Sequence, residues 1–219
     1  MRSSAACWAS AMLASAAFAG EPADPGDELA EILRRMASTP GVEALFEERK
    51  QLALLAAPLE TRGVIYFVPP DRFARFTTSP GESALLVTAD SVQLREGPDA
   101  EKIDLSGHRV ARAFVENFVA LWSGDRDRLE RLYAPHFGGT RDAWELRLVP
   151  RRAPLADIIA VVMLRGDRER MQELVVEERD GDRTTTRFGT TRSDRVFTPA
   201  ELEQIFVVGA PLEGLRAER

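Results

Sequence analysis

The chain is poor in the residues that usually carry chemistry. It has one cysteine, Cys7, and two histidines, His108 and His136, in 219 residues. Cys7 falls in a stretch that reads as a secretion signal. Met1-Arg2 gives a short positive start, Cys7 to Phe18 is small and apolar, and Ala17-Phe18-Ala19 fits a small-x-small cleavage pattern. A membrane-spanning helix needs roughly 20 apolar residues, and this run is too short and too rich in Ala and Ser. Residues 1–19 are therefore expected to be a cleaved signal peptide, and residues 20–219 a single domain. Cys7 sits too early in the apolar run to be a lipid-carrying cysteine. Its removal leaves no thiol, which excludes disulfides, thiol catalysis and Cys-based metal sites together.

Other absences narrow the function further. The two histidines flank a predicted helix pair with no carboxylate at ligand spacing, so no metal is expected. His136, beside Gly138-Gly139, reads as part of a loop. Gly81-Glu-Ser83-Ala-Leu85 lacks the second glycine of a nucleophile elbow. No phosphate loop or dinucleotide fingerprint occurs, and no cofactor is expected. Asp180 and Asp182 are explained by turn geometry, and Glu47 and Glu48 point to opposite faces of a strand. The net charge of −6 argues against nucleic acid as a partner.

What is present is a series of short strands. Phe46 to Pro80 reads as three antiparallel strands, interrupted at Pro58 and at Pro69-Pro70-Asp71, because proline lacks the N–H that a ladder needs. Gly63 to Val68 is apolar on both faces, so something apolar must cover each. Ala84 to Thr88, Ser91 to Arg95 and Lys102 to Leu105 continue the meander. Trp144, Leu146 and Leu148 alternate with Glu145 and Arg147. Ile158 to Leu164 is a further double-sided strand. Asp180-Gly181-Asp182 joins two more strands as a hairpin.

Helices interrupt this pattern. Leu29, Ile32, Leu33 and Met36 share one side of a helix over 27–38, stopped by Pro40-Gly41. His108 to Trp122 carries a wide aromatic stripe with Val110, Phe114, Phe118 and Leu121, and a second helix follows to Tyr133. Thr198, Pro199 and Glu201 mark the start of a short C-terminal helix.

In this order the motifs resemble the LolA family of periplasmic lipoprotein carriers, more closely its divergent LolA-like branch. The resemblance rests on the signal peptide and short helix, then Phe46, Gly63-Val-Ile-Tyr-Phe-Val and Pro70-Asp-Arg-Phe73. Ala84-Leu-Leu-Val, Trp144-Glu-Leu-Arg-Leu-Val-Pro150 and Asp180-Gly181-Asp182 follow. It implies an α+β fold: a strongly curved antiparallel sheet, an incomplete β-barrel, with helices covering the open concave face. It further implies a periplasmic, non-catalytic monomer that shelters acyl chains of a lipoprotein or lipid cargo. An inner-membrane exporter and an outer-membrane acceptor would be its partners. The implied cavity would be lined by Phe46, Ile65, Phe67, Phe73, Arg75, Leu86, Phe114, Phe118, Trp144 and Leu146, with Phe73 at its mouth. Two positions depart from the family. Pro69 replaces the Arg that ties lid to sheet, a role open to Arg72 or Arg75. Arg75 replaces a Trp, and a guanidinium facing the cavity needs a partner or a cargo with an acidic head group.

Two other readings stand beside the carrier. The same fold could be a protein-binding or regulatory module whose interior is filled by its own side chains. A hydrolase or transferase would need a site assembled from distant strands, with Glu145, Asp157 and His136 as candidates.

Overall fold

In a computed structural model that describes residues 25–97 and 99–213, the strands form one sheet of eleven. The expected signal peptide, residues 1–19, lies outside the described residues. Helix α1 (Pro25–Ala37) leads into β1 (Val42–Gln51), β2 (Leu59–Val68), β3 (Arg72–Ser79), β4 (Ser83–Val87), β5 (Ser91–Glu96) and β6 (Asp99–Asp104). Helices α2 (Arg109–Ser123) and α3 (Arg126–Leu132) follow. Next come β7 (Tyr133–Thr140), β8 (Ala143–Pro150), the single turn α4 (Leu155–Ile158), β9 (Ile159–Asp167), β10 (Arg170–Glu178) and β11 (Arg183–Arg192). The chain then forms α5 (Pro199–Glu203), which runs into a wider π turn at Gln204–Val208. The spatial order is β6-β5-β4-β3-β2-β1-β11-β10-β9-β8-β7, antiparallel throughout, so β1 meets β11 in the middle and the edges are β6 and β7. The sheet curves without closing, as the resemblance implies.

Bulges and glycines let it bend. Register shifts fall at Ala44/Phe46, Arg62/Gly63 and Met171/Glu173, and each extra residue increases local twist. A Cβ on Gly63 would meet the Phe76 carbonyl at 1.8 Å and the Phe46 ring at 2.8 Å, so only glycine lets the strands approach there.

The sheet buries both faces, as the apolar run of β2 requires. On the concave side Ala44, Phe46, Ile65, Phe67 and Phe73 join Leu29, Ile32 and Leu33 of α1, Leu121 and Trp122 of α2, and Trp144, Leu146 and Leu148 of β8. On the convex side Val64, Tyr66, Phe76 and Leu86 pack with Ile205, Phe197 and Phe206 of the C-terminal segment. The predicted cap is formed there in full: Thr198 and Glu201 bond each other's backbone N–H, with Pro199 at the start of the helix. Arg195 fastens this segment to the sheet, bonding Glu201 and pairing with the buried Glu43 at 3.4 Å. Tyr66 accepts a hydrogen bond from the Leu212 N–H at 3.0 Å, and burial pushes its phenol up to about 12.

The stretch Tyr133 to Thr140, expected as helix end and loop, is instead β7, with His136 opposite Arg147. As an edge strand it needs only one hydrogen-bonded side, which is why Pro135 and two glycines are tolerated there. The turn α4 was not anticipated; it is too short to leave a periodic signal.

Candidate functional site

Two spaces adjoin the concave core, one beneath the end of α2 and one over β3 to β6. The C-terminal half of α2 is locked down. Val119, Ala120, Leu121 and Trp122 are buried, and the chain turns away through Gly124 at φ +66°, where a Cβ would meet the Leu33 carbonyl of α1 at 2.3 Å. Trp122 is the hub of the interior beneath. Its ring lies 5.2 Å from Phe188, 6.0 Å from Phe73 and 6.4 Å from Phe67, and Phe73 also meets Phe118 at 5.6 Å. Between α1, α2 and the sheet lies a hollow of about 20 Å³, bounded by Met36, Ala44, Trp122, Met171 and Phe188. This is interior packing.

The N-terminal half of α2 is held differently. Val110 is 57% exposed, and Ala111, Phe114, Val115 and Phe118 are only half-buried. Arg112 ties this half to the preceding loop, donating to the carbonyls of Leu105 (2.6 Å) and Ser106 (3.1 Å). β3 to β6 form an open groove of about 950 Å³, whose lining includes Arg75, Leu85, Leu94 and the turn Pro80–Glu82, together with the charged Arg95, Glu96, Asp99 and Glu101. Leu85 lines the groove and also packs on the aromatic interior.

Arg75 lines the groove and packs on the aromatic core. Its guanidinium lies 4.3 Å from the centre of the Phe46 ring, donates to Glu48 Oε1 at 2.8 Å and reaches Thr61 Oγ1 at 3.3 Å. Glu48 Oε2 accepts from the Thr186 hydroxyl at 3.0 Å. The pairing that a concave-face guanidinium needs is thus supplied from β1, across two strands. Arg75 Nε is buried without a partner. Arg72 goes the other way, over the Phe206 ring at 5.9 Å. Neither arginine bonds α2; Arg112 of α2 itself does the fastening.

The expected cavity residues divide by location. Phe46, Ile65, Phe67, Phe73, Trp144 and Leu146 lie in the concave core, with Phe114 packed at its margin. Phe118 stacks on Phe73. Phe73 is 2% exposed, beneath Trp122 and Phe118. Trp144 lies flat on Gly166 and donates its indole N–H to the Arg168 carbonyl at 2.9 Å. Leu86 faces the convex cluster. Leu85 and Leu94, which line the groove, carried no distinguishing sequence signal beyond ordinary strand alternation. Glu145 is bonded to Arg165 at 2.8 Å, on the face of β8 away from Trp144. No group of metal-ligating side chains occurs among the described residues.

Solved structures of similar backbone course exist at low identity. A LolA superfamily protein from Nitrosomonas europaea is 12% identical, with 80% of this chain and 95% of that one covered, at a TM-score of 0.44. A DUF1329 family protein from Desulfovibrio piger is 12% identical, with 84% and 98% covered, at 0.47. A chain of the Pseudomonas aeruginosa MucA/MucB complex is 15% identical, with 82% and 60% covered, at 0.47. No curated protein matches the sequence. Residues 22–206 match the family described as outer membrane lipoprotein carrier protein LolA-like. The chain belongs to that LolA-like family.

Proposed function

We propose that the chain is a periplasmic, non-catalytic carrier that shelters the acyl chains of a lipoprotein or lipid-linked cargo. It would receive cargo from an inner-membrane exporter and pass it to an outer-membrane acceptor. The observation that carries this reading is the open groove of about 950 Å³ over β3 to β6, with Leu85 and Leu94 in its lining; Leu85 packs on the same concave core as the half-buried Phe114 of α2. The groove's size lies at the upper end of ligand pockets, roughly 300–1,000 Å³. Acyl methylenes moved from water onto Leu85 and Leu94 would gain about 0.8 kcal/mol each where fully buried. Arg75, at the inner end of the groove, suits an acidic head group, for which Glu48 would have to give way. In this reading Phe73, Phe118 and Trp122 fill the space beneath α2 while the carrier is empty, and cargo displaces them.

The hollow of only about 20 Å³ beneath α2 favours a second reading, a protein-binding module whose interior stays filled. Native mass spectrometry of the purified secreted protein separates the two. A carrier retains a lipid-sized adduct that is lost on delipidation and regained from lipid. A chain that never holds such an adduct, under conditions that keep it folded, is a module.

A further inference from the structure

The turn between β1 and β2 is unlike the other hairpin turns among the described residues. From Leu52 to Leu59 it contains only Leu, Ala and Pro. Leu54 is 97% exposed, Leu55 49% and Leu59 50%. A hairpin tip that only joined two strands would be built from turn-forming polar residues and glycine. The structure holds this one in shape: the Leu55 N–H donates to the Leu52 carbonyl at 3.0 Å, and the Ala53 N–H donates to Asp182 of the neighbouring hairpin at 2.9 Å. The leucines are presented outward on a fixed turn.

We propose that this tip is a membrane-docking loop that inserts its leucines into the surface of a lipid bilayer. A lipid surface suits the tip better than a protein pocket does. The run offers no aromatic ring, side-chain donor or charge that a protein could read, and its only strong drive is removal of apolar surface from water. Bonding two of its N–H groups within the protein also lowers the penalty of leaving water. Near the tip Lys50 pairs with Glu178 at 3.7 Å and Arg183 with Glu177 at 3.1 Å, while Asp182, bonded to the tip, and Glu60, next to Leu59, are acidic, so docking is onto neutral, zwitterionic lipid and is not driven by attraction to anionic surfaces.

The placement deepens the carrier reading, on which its purpose rests. In an antiparallel sheet the β1–β2, β3–β4 and β5–β6 turns all lie at one end. The last two, through Pro80, Glu82 and Glu96, also rim the groove. A bilayer touched by Leu54 therefore faces the end of the groove, where an acyl chain could pass between lipid and protein.

The test uses the full chain and vesicles of phosphatidylcholine, with and without equimolar phosphatidylglycerol, in a flotation assay. The wild type should bind both kinds alike, at low and high salt. Leu54→Glu/Leu55→Glu should weaken binding by on the order of a hundredfold or more, the loss of two leucine transfers, with an unchanged melting temperature. A polarity-sensitive dye on Leu54→Cys, in a chain carrying Cys7→Ser, should shift to the blue on adding vesicles. Absence of wild-type binding to phosphatidylcholine would overturn the proposal and leave a protein as what the loop meets. Equal binding by the double variant, or binding that requires phosphatidylglycerol and vanishes in salt, would overturn it too. Lipid retention in the mass spectrometer is read separately: a variant that keeps its lipid adduct yet fails to float locates the defect in docking. Vesicle binding without any adduct defeats the carrier reading alone.

Discussion

Arg75 occupies a concave-face position where its strand neighbour Phe73 and its cross-strand neighbours Ile65 and Leu85 are apolar. Its side chain is 25% exposed and that of Glu48 15%, between a surface pair, which adds little, and a fully buried one, whose disruption costs several kcal/mol. Replacing Arg75 by Leu leaves the Glu48 carboxylate half-buried with only the Thr186 hydroxyl, which should cost about 1–3 kcal/mol. Removing both charges should cost less than removing Arg75 alone, because no orphaned carboxylate remains. Urea titration of Arg75→Leu, Glu48→Leu and the double variant measures the coupling, and strict additivity would show that the pair contributes nothing. The same Arg75→Leu protein should bind an anionic lipid probe more weakly while leaving an uncharged alkyl probe unaffected. The need for a partner was legible in the sequence, since a charged residue stood in an apolar strand pattern. The partner itself was not: Glu48 is 27 positions away, and only the β1–β2–β3 register brings it near.

Elements divide in the same way. Those with a dense local code are readable in advance: the alternation Trp144, Leu146, Leu148, the Asp180-Gly181-Asp182 hairpin, and the Thr198 cap. The cap also sets an acid response. The Thr198 N–H holds the Glu201 carboxyl below the ordinary carboxylate range against an opposing effect of burial, with the Thr198 hydroxyl and Arg195 adding to it. A carboxyl with a lowered folded pKa contributes stability that is complete above its unfolded value and lost as pH falls through the folded one. Glu201→Gln should therefore cost stability near neutrality, and that deficit should shrink as pH falls below the ordinary carboxylate range. Melting temperatures of wild type and variant across this range check it; a deficit independent of pH would mean the carboxylate is not part of the clasp. Elements whose identity depends on position in the sheet were illegible. β7 looks like a loop because its proline and two glycines are acceptable only on an edge, and nothing local announces an edge. The leucines of the β1–β2 tip likewise resemble core residues until the turn is seen to project from the sheet.

At the scale of the whole molecule, one sheet carries two unlike coverings. The convex face is sealed by the C-terminal segment through Arg195, Tyr66 and Ile205. The concave face is sealed at one side by α1 and the end of α2, and left open at the other. This asymmetry gives α2 a buried end at Gly124 and an exposed end at Val110, tied through Arg112 to the loop before it, the arrangement of a flap. If cargo enters by lifting that flap, the contacts between Phe118 and Phe73 oppose loading, because they must separate first. Phe118→Ala should then have opposite effects on two measurements. Stability should fall, by on the order of 1–2 kcal/mol for a half-buried ring, below the 3–5 kcal/mol of a fully buried one. Uptake of a fluorescent fatty acid should rise, since about 1.4 kcal/mol taken from the closed state raises the open population tenfold. Phe67→Ala also removes an aromatic contact with Trp122, but beneath the fixed part of α2, and should lower stability without accelerating uptake. Were both variants to lose stability and neither to load faster, the helix would be a permanent roof, and the groove beside it the whole of the binding surface.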